Sequence, residues 1–343
     1  MGLRRLLKRV RSKWSHPSSR TAENYSVGAG ANCRVAEPTS SQRPASDSAQ
    51  RVADFWATDH KIDRPQSWLE HPVILRLVHE RVTGNGDVNG IQWFQNNYLS
   101  GPVDAGLSLG CGLGAFERDA IRMNIAERFT ACDISAGAIE TARTEAARAG
   151  MEKIISYDVL DLDTDELPPA AYGVVFGLMC IHHILDLDHA FEQIHRSLKP
   201  GGLLYIDEYI GPRQFQTEPN VTAIINRELA SLPESYRRSL FINGHIVNTY
   251  TPSPISHFEQ TDPSEAIRSD EIVEKLAKRF DILEFRPYGG AILHMLLHGI
   301  AGNFSPEKPE DVAMLHRLFA LERELEDAGQ IQSDFAVIVA RPK

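Results

Sequence analysis

No run of about 18 apolar residues occurs anywhere in the chain, so no segment is expected to span a membrane as a helix. Cysteine is scarce. Cys33, Cys111, Cys132 and Cys180 lie far apart, with no CxxC pair and no close Cys/His spacing. That argues against a disulfide framework and a cysteine-based zinc site, and makes a reducing, cytoplasmic setting the expectation. The first residues also lack the apolar core of a secretory signal. Net positive charge is confined to the start of the chain. Residues 1–50 hold nine Lys/Arg against three Asp/Glu, which leaves −16 for the rest of a chain whose formal charge is −10. A broad nucleic-acid footprint on the folded part is therefore not expected.

What is present suits a globular protein. Hydrophobic residues make up 42% of 343, enough for a sizeable core. Residues 1–14, MGLRRLLKRVRSKW, place Leu3, Leu6, Leu7, Val10 and Trp14 at helical spacing among basic residues. That pattern suits peripheral contact with an anionic membrane surface, while a solvated basic tail is the plainer reading. Residues 15–50 are rich in Ser, Ala, Pro and Arg, so residues 1–50 read as a disordered basic segment. Order is expected from near Val52, with a helical cap over 51–100. It comprises a helix over 66–82, a turn at GNGDVNG, and a short helix in IQWFQNNYL.

From residue 103 strands and helices alternate, which predicts an α/β fold with a mostly parallel sheet covered on both faces. The predicted strands are VDAGLSL, RFTACD, KIISYDV, GVVFGLM and GLLYIDEYI; helices fall over 115–124, 136–149 and 188–198, the last capped by Asp188. After Gly211 the rhythm breaks into a helix over 218–232 and a Pro/Ser/His-bearing loop over 243–263. That loop is the first candidate for shaping a binding pocket, within an insertion over 211–263. Helices over 270–279 and 307–327 and strands at 281–286 and SDFAVIVA complete the chain.

The strongest motif is Leu109-Gly110-Cys111-Gly112-Leu113-Gly114, between a strand and a helix. Glycines there let the backbone turn sharply and approach a ligand, while the helix behind them offers free N–H groups. Asp133 ends the next strand, 21 residues after Gly112, where a carboxylate can accept hydrogen bonds from a ribose diol. An adenosine-containing ligand follows. The nicotinamide fingerprint G-x-G-x-x-G is not matched, since the third glycine comes one position early.

The chain resembles the class I S-adenosylmethionine-dependent methyltransferases. The matching segments are LSLGCGLG (107–114), ACDIS (131–135), YDVLDLD (157–163), YGVVFGLMCIHHI (172–184) and LKPGGLLYIDEYIGP (198–212). The resemblance covers roughly residues 100–343 and implies a doubly wound, seven-stranded, Rossmann-like sheet whose last strand is antiparallel and inserted beside the fifth. It implies S-adenosylmethionine as cofactor, with Gly110, Cys111, Gly112 and Gly114 facing its methionine and sugar. Asp133 and Ile134 would meet the ribose, and Asp161 and Leu162 the adenine, with Asp158 as an alternative. Where the family has Asp, this chain has Gly173.

An oxygen or nitrogen acceptor also needs a base. His183 and Glu208 are the candidates, at the ends of the fourth and fifth strands beside His182. The alternative is that a histidine packs or touches cofactor and that Glu208 makes a structural hydrogen bond. Tyr209, Arg213, Tyr250 and His257 are candidate acceptor contacts, and Trp68 and Pro72 of the cap could close the site. The segment RPYGGAILHMLLHGIAGNF resembles those of bacterial glycan-assembly enzymes, which implies a small-molecule, glycan or glycolipid acceptor. Three competing readings remain. Gly106-Leu107-Ser108-Leu109-Gly110 matches the serine-hydrolase pattern, but Ser108 should lie within a strand. The group His182, His183, Asp186, Asp188, His189 fits no standard zinc spacing, so no metal is expected. A non-catalytic, cofactor-binding scaffold is disfavoured by the intact glycine loop and acidic positions.

Overall fold

The computed structural model describes residues 67–343, so the basic segment, its proposed membrane contact and the start of the cap lie outside the described residues. Seven strands form one sheet: β1 (Gly106–Leu109), β2 (Phe129–Asp133), β3 (Ile155–Val159), β4 (Tyr172–Leu178), β5 (Leu198–Tyr209), β6 (Phe280–Gly289) and β7 (Phe335–Pro342). Their order is β3-β2-β1-β4-β5-β7-β6, with β7 antiparallel to both of its neighbours and the rest parallel. This is the expected doubly wound sheet, with the final antiparallel strand beside the fifth. Every residue of β1 is buried, because helices cover both faces of a central parallel strand; the edge strand β3 alternates. Ser108 sits inside β1 at 2% exposure, which removes the serine-hydrolase reading.

The helices of the cap are set by their ends. His71 Nδ1 accepts from the Val73 N–H, and Pro72 occupies the first position of α1 (Pro72–Thr83), which Gly84 closes in a left-handed conformation. Asn89 and Gln92 cap each other at the start of α2 (Gly90–Tyr98). Phe94 of α2 packs on Phe176 and Tyr205, 5.8 and 5.2 Å between ring centroids, so the cap lies against β4 and β5. Trp68 is fully buried against Phe335 and Tyr288, and Pro72 is exposed. Core packing and helix initiation are their roles, not closure of the site.

On the sheet's two faces lie α3 (Ala115–Arg122), α4 (Ala136–Arg148), α5 (Leu187–Ser197) and α8 (Ile272–Arg279). Asp188 does not cap α5. The carboxylate of Asp186 accepts the His189 N–H at 3.0 Å, and Asp188 instead pairs with Lys275 of α8. The sequence offers two acidic residues at that helix start, and only the earlier one has the non-helical backbone that a cap requires. The insertion carries α6 (Pro219–Ser231) and, inside the expected loop, a short α7 (Ile255–Gln260).

Behind β6 the chain turns through Gly289 and Gly290, both at positive φ, into α9 (Leu293–Leu297). A Cβ on Gly290 would strike the rings of Phe335 and Trp68, so no side chain fits there. Glu322, on α10 (Pro309–Asp327), clamps this turn. Its buried carboxylate accepts the N–H groups of Gly290, Ile292 and Leu293 at 2.9, 2.6 and 3.0 Å. The glycan-like segment RPYGGAILHMLLHGIAGNF thus forms core and turn, with Ile292, Leu293, Leu297 and Ile300 buried. Among the described residues, no helix is long and apolar enough to cross a membrane.

Burial, reinforced by Glu326, pushes the Glu322 carboxyl up to about 7 despite its three N–H donors. A carboxyl raised above its unfolded value stabilises the fold fully below the unfolded value and loses that contribution as pH rises through the folded one. Urea unfolding should therefore show stability falling between about pH 5 and pH 8, with a shallower fall in Glu322→Gln. An unchanged slope in the variant would show that Glu322 is not the group responsible.

Candidate functional site

The carboxyl ends of β1, β2, β4 and β5 meet at one edge of the sheet, where open α/β folds place their ligands. Gly110, Gly112 and Gly114 all have positive φ, at 56°, 51° and 72°. Two of them also have no room for a side chain. A Cβ at Gly110 would overlap that of Cys180, and one at Gly114 would press on Tyr157 Oη at 2.6 Å and Ala142 at 2.9 Å. At Gly112 nothing lies within 4 Å, so the loop faces open space there. Cys111 holds the loop to β2 by donating its N–H to the Cys132 carbonyl at 2.9 Å, and burial pushes its thiol far above the usual range.

Asp133, at the end of β2, accepts from the Gly112 N–H at 2.9 Å and the Ser135 N–H at 2.8 Å, one on each oxygen. A carboxylate has about four lone-pair positions, so capacity for a diol remains. Ile134 follows it, half-buried. Beyond β3, Asp161 turns back to accept the Asp163 N–H at 2.9 Å, with Leu162 half-buried beside it; Asp158 is exposed within β3. The structure brings Gly110–Gly114 and Asp133 into direct contact and leaves Asp161 on the neighbouring loop. Gly173, the departure from the family pattern, lies where a Cβ would meet Val103 at 2.9 Å, so close strand packing accounts for it.

One residue that the motifs did not single out lies beneath this loop. Glu117, in the first turn of α3, is fully buried, and burial holds its carboxyl above the ordinary range. Its position two residues into the helix after GxGxG was the available signal.

At the other end of the edge, Met179 takes a left-handed conformation (φ 50°) and leads into a single helical turn, Ile181–His183. Glu208 of β5 holds that turn. Its fully buried carboxylate accepts the N–H groups of Cys180, Ile181 and Tyr209 at 2.9, 2.7 and 2.7 Å, and also pairs with His182 Nδ1. Burial pulls the His182 pKa down, but Glu208 and then Glu265 outweigh it and hold it above the usual histidine value. His183 goes the other way: burial and the neighbouring His182 keep it well below that value, hence neutral near pH 7. The two rings stand 4.2 Å apart.

The end of the insertion and the residues that follow it close over them. Ser264 Oγ lies 3.0 Å from His183 Nδ1 and donates to Asp262 Oδ1 at 2.6 Å, and Glu265 Oε1 lies 3.5 Å from His182 Nε2. Asp262, Ser264 and Glu265 were not read as site residues, because 79 or more positions separate them from His183 and no local pattern marks them. Left-handed Gln214 and Phe215 face left-handed Ala266, with the Gln214 N–H on the Ala266 carbonyl at 2.8 Å. Strained non-glycine backbone of this kind collects at functional sites.

The remaining candidates separate. Tyr209 is buried 6.3 Å from His182 between ring centroids, with its hydroxyl on the Pro212 carbonyl. Tyr250 is half-buried nearby, its hydroxyl 3.4 Å from Thr217 Oγ1. Arg213 is committed to Asp270 and Glu271, and His257 is exposed on α7. Asp186, Asp188 and His189 are taken up by the helix cap, Lys275 and the Asp165 carbonyl, so the metal cluster considered from spacing does not assemble.

Breaking a buried ion pair by removing one partner typically costs about 3–5 kcal/mol. Glu208→Gln, measured by urea unfolding at pH 6, should cost about 3 kcal/mol, because His182 loses its charge partner and one N–H its acceptor. A cost below about 1 kcal/mol would show that the pair does not hold the turn.

The methyltransferase-domain family matches residues 107–204. Over 114 residues the chain is 32% identical to the 27-O-demethylrifamycin SV methyltransferase of Amycolatopsis mediterranei (strain S699), a match covering 32% of this chain and 41% of that protein. Phosphoethanolamine N-methyltransferase 1 of Arabidopsis thaliana is 29% identical over 142 residues, 39% of this chain and 28% of the relative. The chain spans less than half the length of both relatives. Among solved structures, geranyl diphosphate C-methyltransferase from Streptomyces coelicolor A3(2), bound to S-adenosyl-L-homocysteine, shares the fold at 14% identity. Its TM-score is 0.52, covering 88% of this chain and 100% of that one.

Proposed function

We propose that this chain, whose residues 107–204 match the methyltransferase-domain family, is a class I S-adenosylmethionine-dependent methyltransferase that transfers the cofactor's methyl group to an oxygen or nitrogen atom of a small-molecule acceptor. The observation that carries this reading is that the loop opened at Gly112 and tied to Asp133 shares one sheet edge with a buried, neutral imidazole. The residues fit the cofactor. Gly112 leaves the space a side chain would fill, Asp133 keeps lone pairs for the ribose diol, and Asp161 with Leu162, half-buried on the loop after β3, would meet the adenine.

Bound there, S-adenosylmethionine supplies a methyl group on a sulfonium sulfur that leaves as a neutral thioether. The protein's part is to hold the acceptor in line, which supplies much of the rate when reacting atoms are aligned. His183 takes the acceptor's proton, since it is neutral near pH 7. Glu208 is saturated by three N–H groups and His182, so it acts as a positioning residue rather than as the base. The proposed acceptor class includes a sugar of a glycan or glycolipid; the half-buried rings of Phe215 and His294 pack edge to face on each other, 5.2 Å between centroids. The relatives' acceptors differ among themselves, and the lining residues after Gly211 decide this chain's own.

Calorimetry should show binding of S-adenosylmethionine and none of NAD, and Asp133→Ala should lose most of that binding. Binding of NAD alone would overturn the reading. With methyl-labelled cofactor and cell extract, a labelled product should form, and His183→Ala should lose about 10²–10⁴ in rate with cofactor affinity kept. Cofactor binding with persistent absence of product would favour the scaffold alternative instead.

A further inference from the structure

The structure assigns to His182, His183 and Glu265 a binding site for a divalent transition-metal ion of the zinc class. One donor atom from each residue lies within 4.8 Å of the others. Spacing in the sequence could not show this set, because Glu265 arrives from the far side of the insertion.

Four features separate this cluster from a chance meeting of polar side chains. First, the distances suit an ion. Donors about 2.0–2.2 Å from a tetrahedral ion stand ~3.4 Å from one another, and His182 Nε2 is 3.5 Å from Glu265 Oε1. Second, both imidazoles are oriented from behind. His182 Nδ1 is held by the buried Glu208, leaving Nε2 toward Glu265, which is the carboxylate–histidine arrangement that sets up metal ligands. Third, the His183 tautomer is fixed. Ser264 commits its hydroxyl proton to Asp262 Oδ1, so Ser264 Oγ accepts from His183 Nδ1–H, and Nε2 carries the lone pair.

The fourth feature is Asp262. It is 3% exposed, and its Oδ2, 3.8 Å from His183 Nδ1, is buried without a hydrogen-bond partner. An unpaired buried carboxylate oxygen is costly, and a cation bound alongside compensates it. Two imidazoles and a carboxylate form a donor set suited to zinc and its first-row neighbours, not to magnesium or calcium. Binding replaces the proton on His182 Nε2, which passes to solvent. Three protein ligands leave a fourth position open, and an acceptor hydroxyl fits it; in the metal-loaded chain the ion lowers that hydroxyl's pKa and its proton passes to solvent, so His183 is then a ligand, and it acts as the base only in the metal-free chain. That last point alone rests on the methyl-transfer reading.

The test uses the whole chain, freed of metal with a chelator and titrated with Zn²⁺ by calorimetry, and with Co²⁺ by visible absorption. One equivalent of each should bind, and the Co²⁺ spectrum should have the intensity of a four- or five-coordinate ion. Glu265→Gln and His183→Ala should each weaken Zn²⁺ binding at least tenfold, with S-adenosylmethionine affinity changed less than about twofold. X-ray absorption of the zinc-loaded wild-type chain needs no variant, and should show nitrogen and oxygen ligands at about 2.0–2.2 Å, histidine rings among them. No saturable binding of either ion, binding undiminished in both variants, or a sulfur shell would each overturn the assignment. Failure of S-adenosylmethionine to bind would count against the methyl-transfer reading and leave the metal result standing.

Discussion

The buried carboxylate of Glu208 is the interaction on which the site depends. At the end of β5 it accepts three backbone N–H groups and an imidazole, and so holds two strand ends and the intervening turn in one arrangement. Desolvating a carboxylate is expensive, and only this number of donors makes the position tolerable. The consequence reaches both ways along the edge. Cys180, pinned through its N–H, fills the space that makes Gly110 a glycine; His182, pinned through Nδ1, presents its other nitrogen to the insertion.

From that anchor the site divides into a rigid half and a half assembled from distant sequence. The rigid half is β1, the glycine loop and Asp133, built on strands buried on both faces and linked by the Gly112–Asp133 bond. The other half depends on Asp262, Ser264 and Glu265 arriving over the Ile181–His183 turn, with strained Gln214, Phe215 and Ala266 marking where the insertion locks down. In the proposed function the sheet edge would hold the cofactor, and the insertion would shape the place of the acceptor. The cap serves stability more than chemistry, since Trp68 and Phe94 are spent on packing against Phe335, Tyr288 and the sheet.

This division explains what could be read from sequence. The alternation of strands and helices and the glycine-loop region follow from local patterns, GxGxG after a strand and an acidic residue on the next strand end, whereas the antiparallel β7 beside the fifth strand came only as what the family resemblance implies. The cap of α5 was misplaced by two residues, because Asp186 and Asp188 are equally good caps until the backbone angle is known. Glu208 was legible as a site residue but not in its role, since saturation by backbone N–H groups depends on tertiary contact. Glu265 was illegible, and Asp262 legible only as part of the 243–263 loop, because contact across about 80 residues leaves no trace in spacing.

The central claim is that cofactor and acceptor meet along the edge between the Gly110–Gly114 loop and the Ile181–His183 turn. A crystal structure with S-adenosyl-L-homocysteine bound tests it most directly. The account predicts the ribose hydroxyls on Asp133, backbone contact at Gly112, and the sulfur directed toward His182 and His183. A ligand lodged elsewhere, or one whose ribose avoids Asp133, would contradict it.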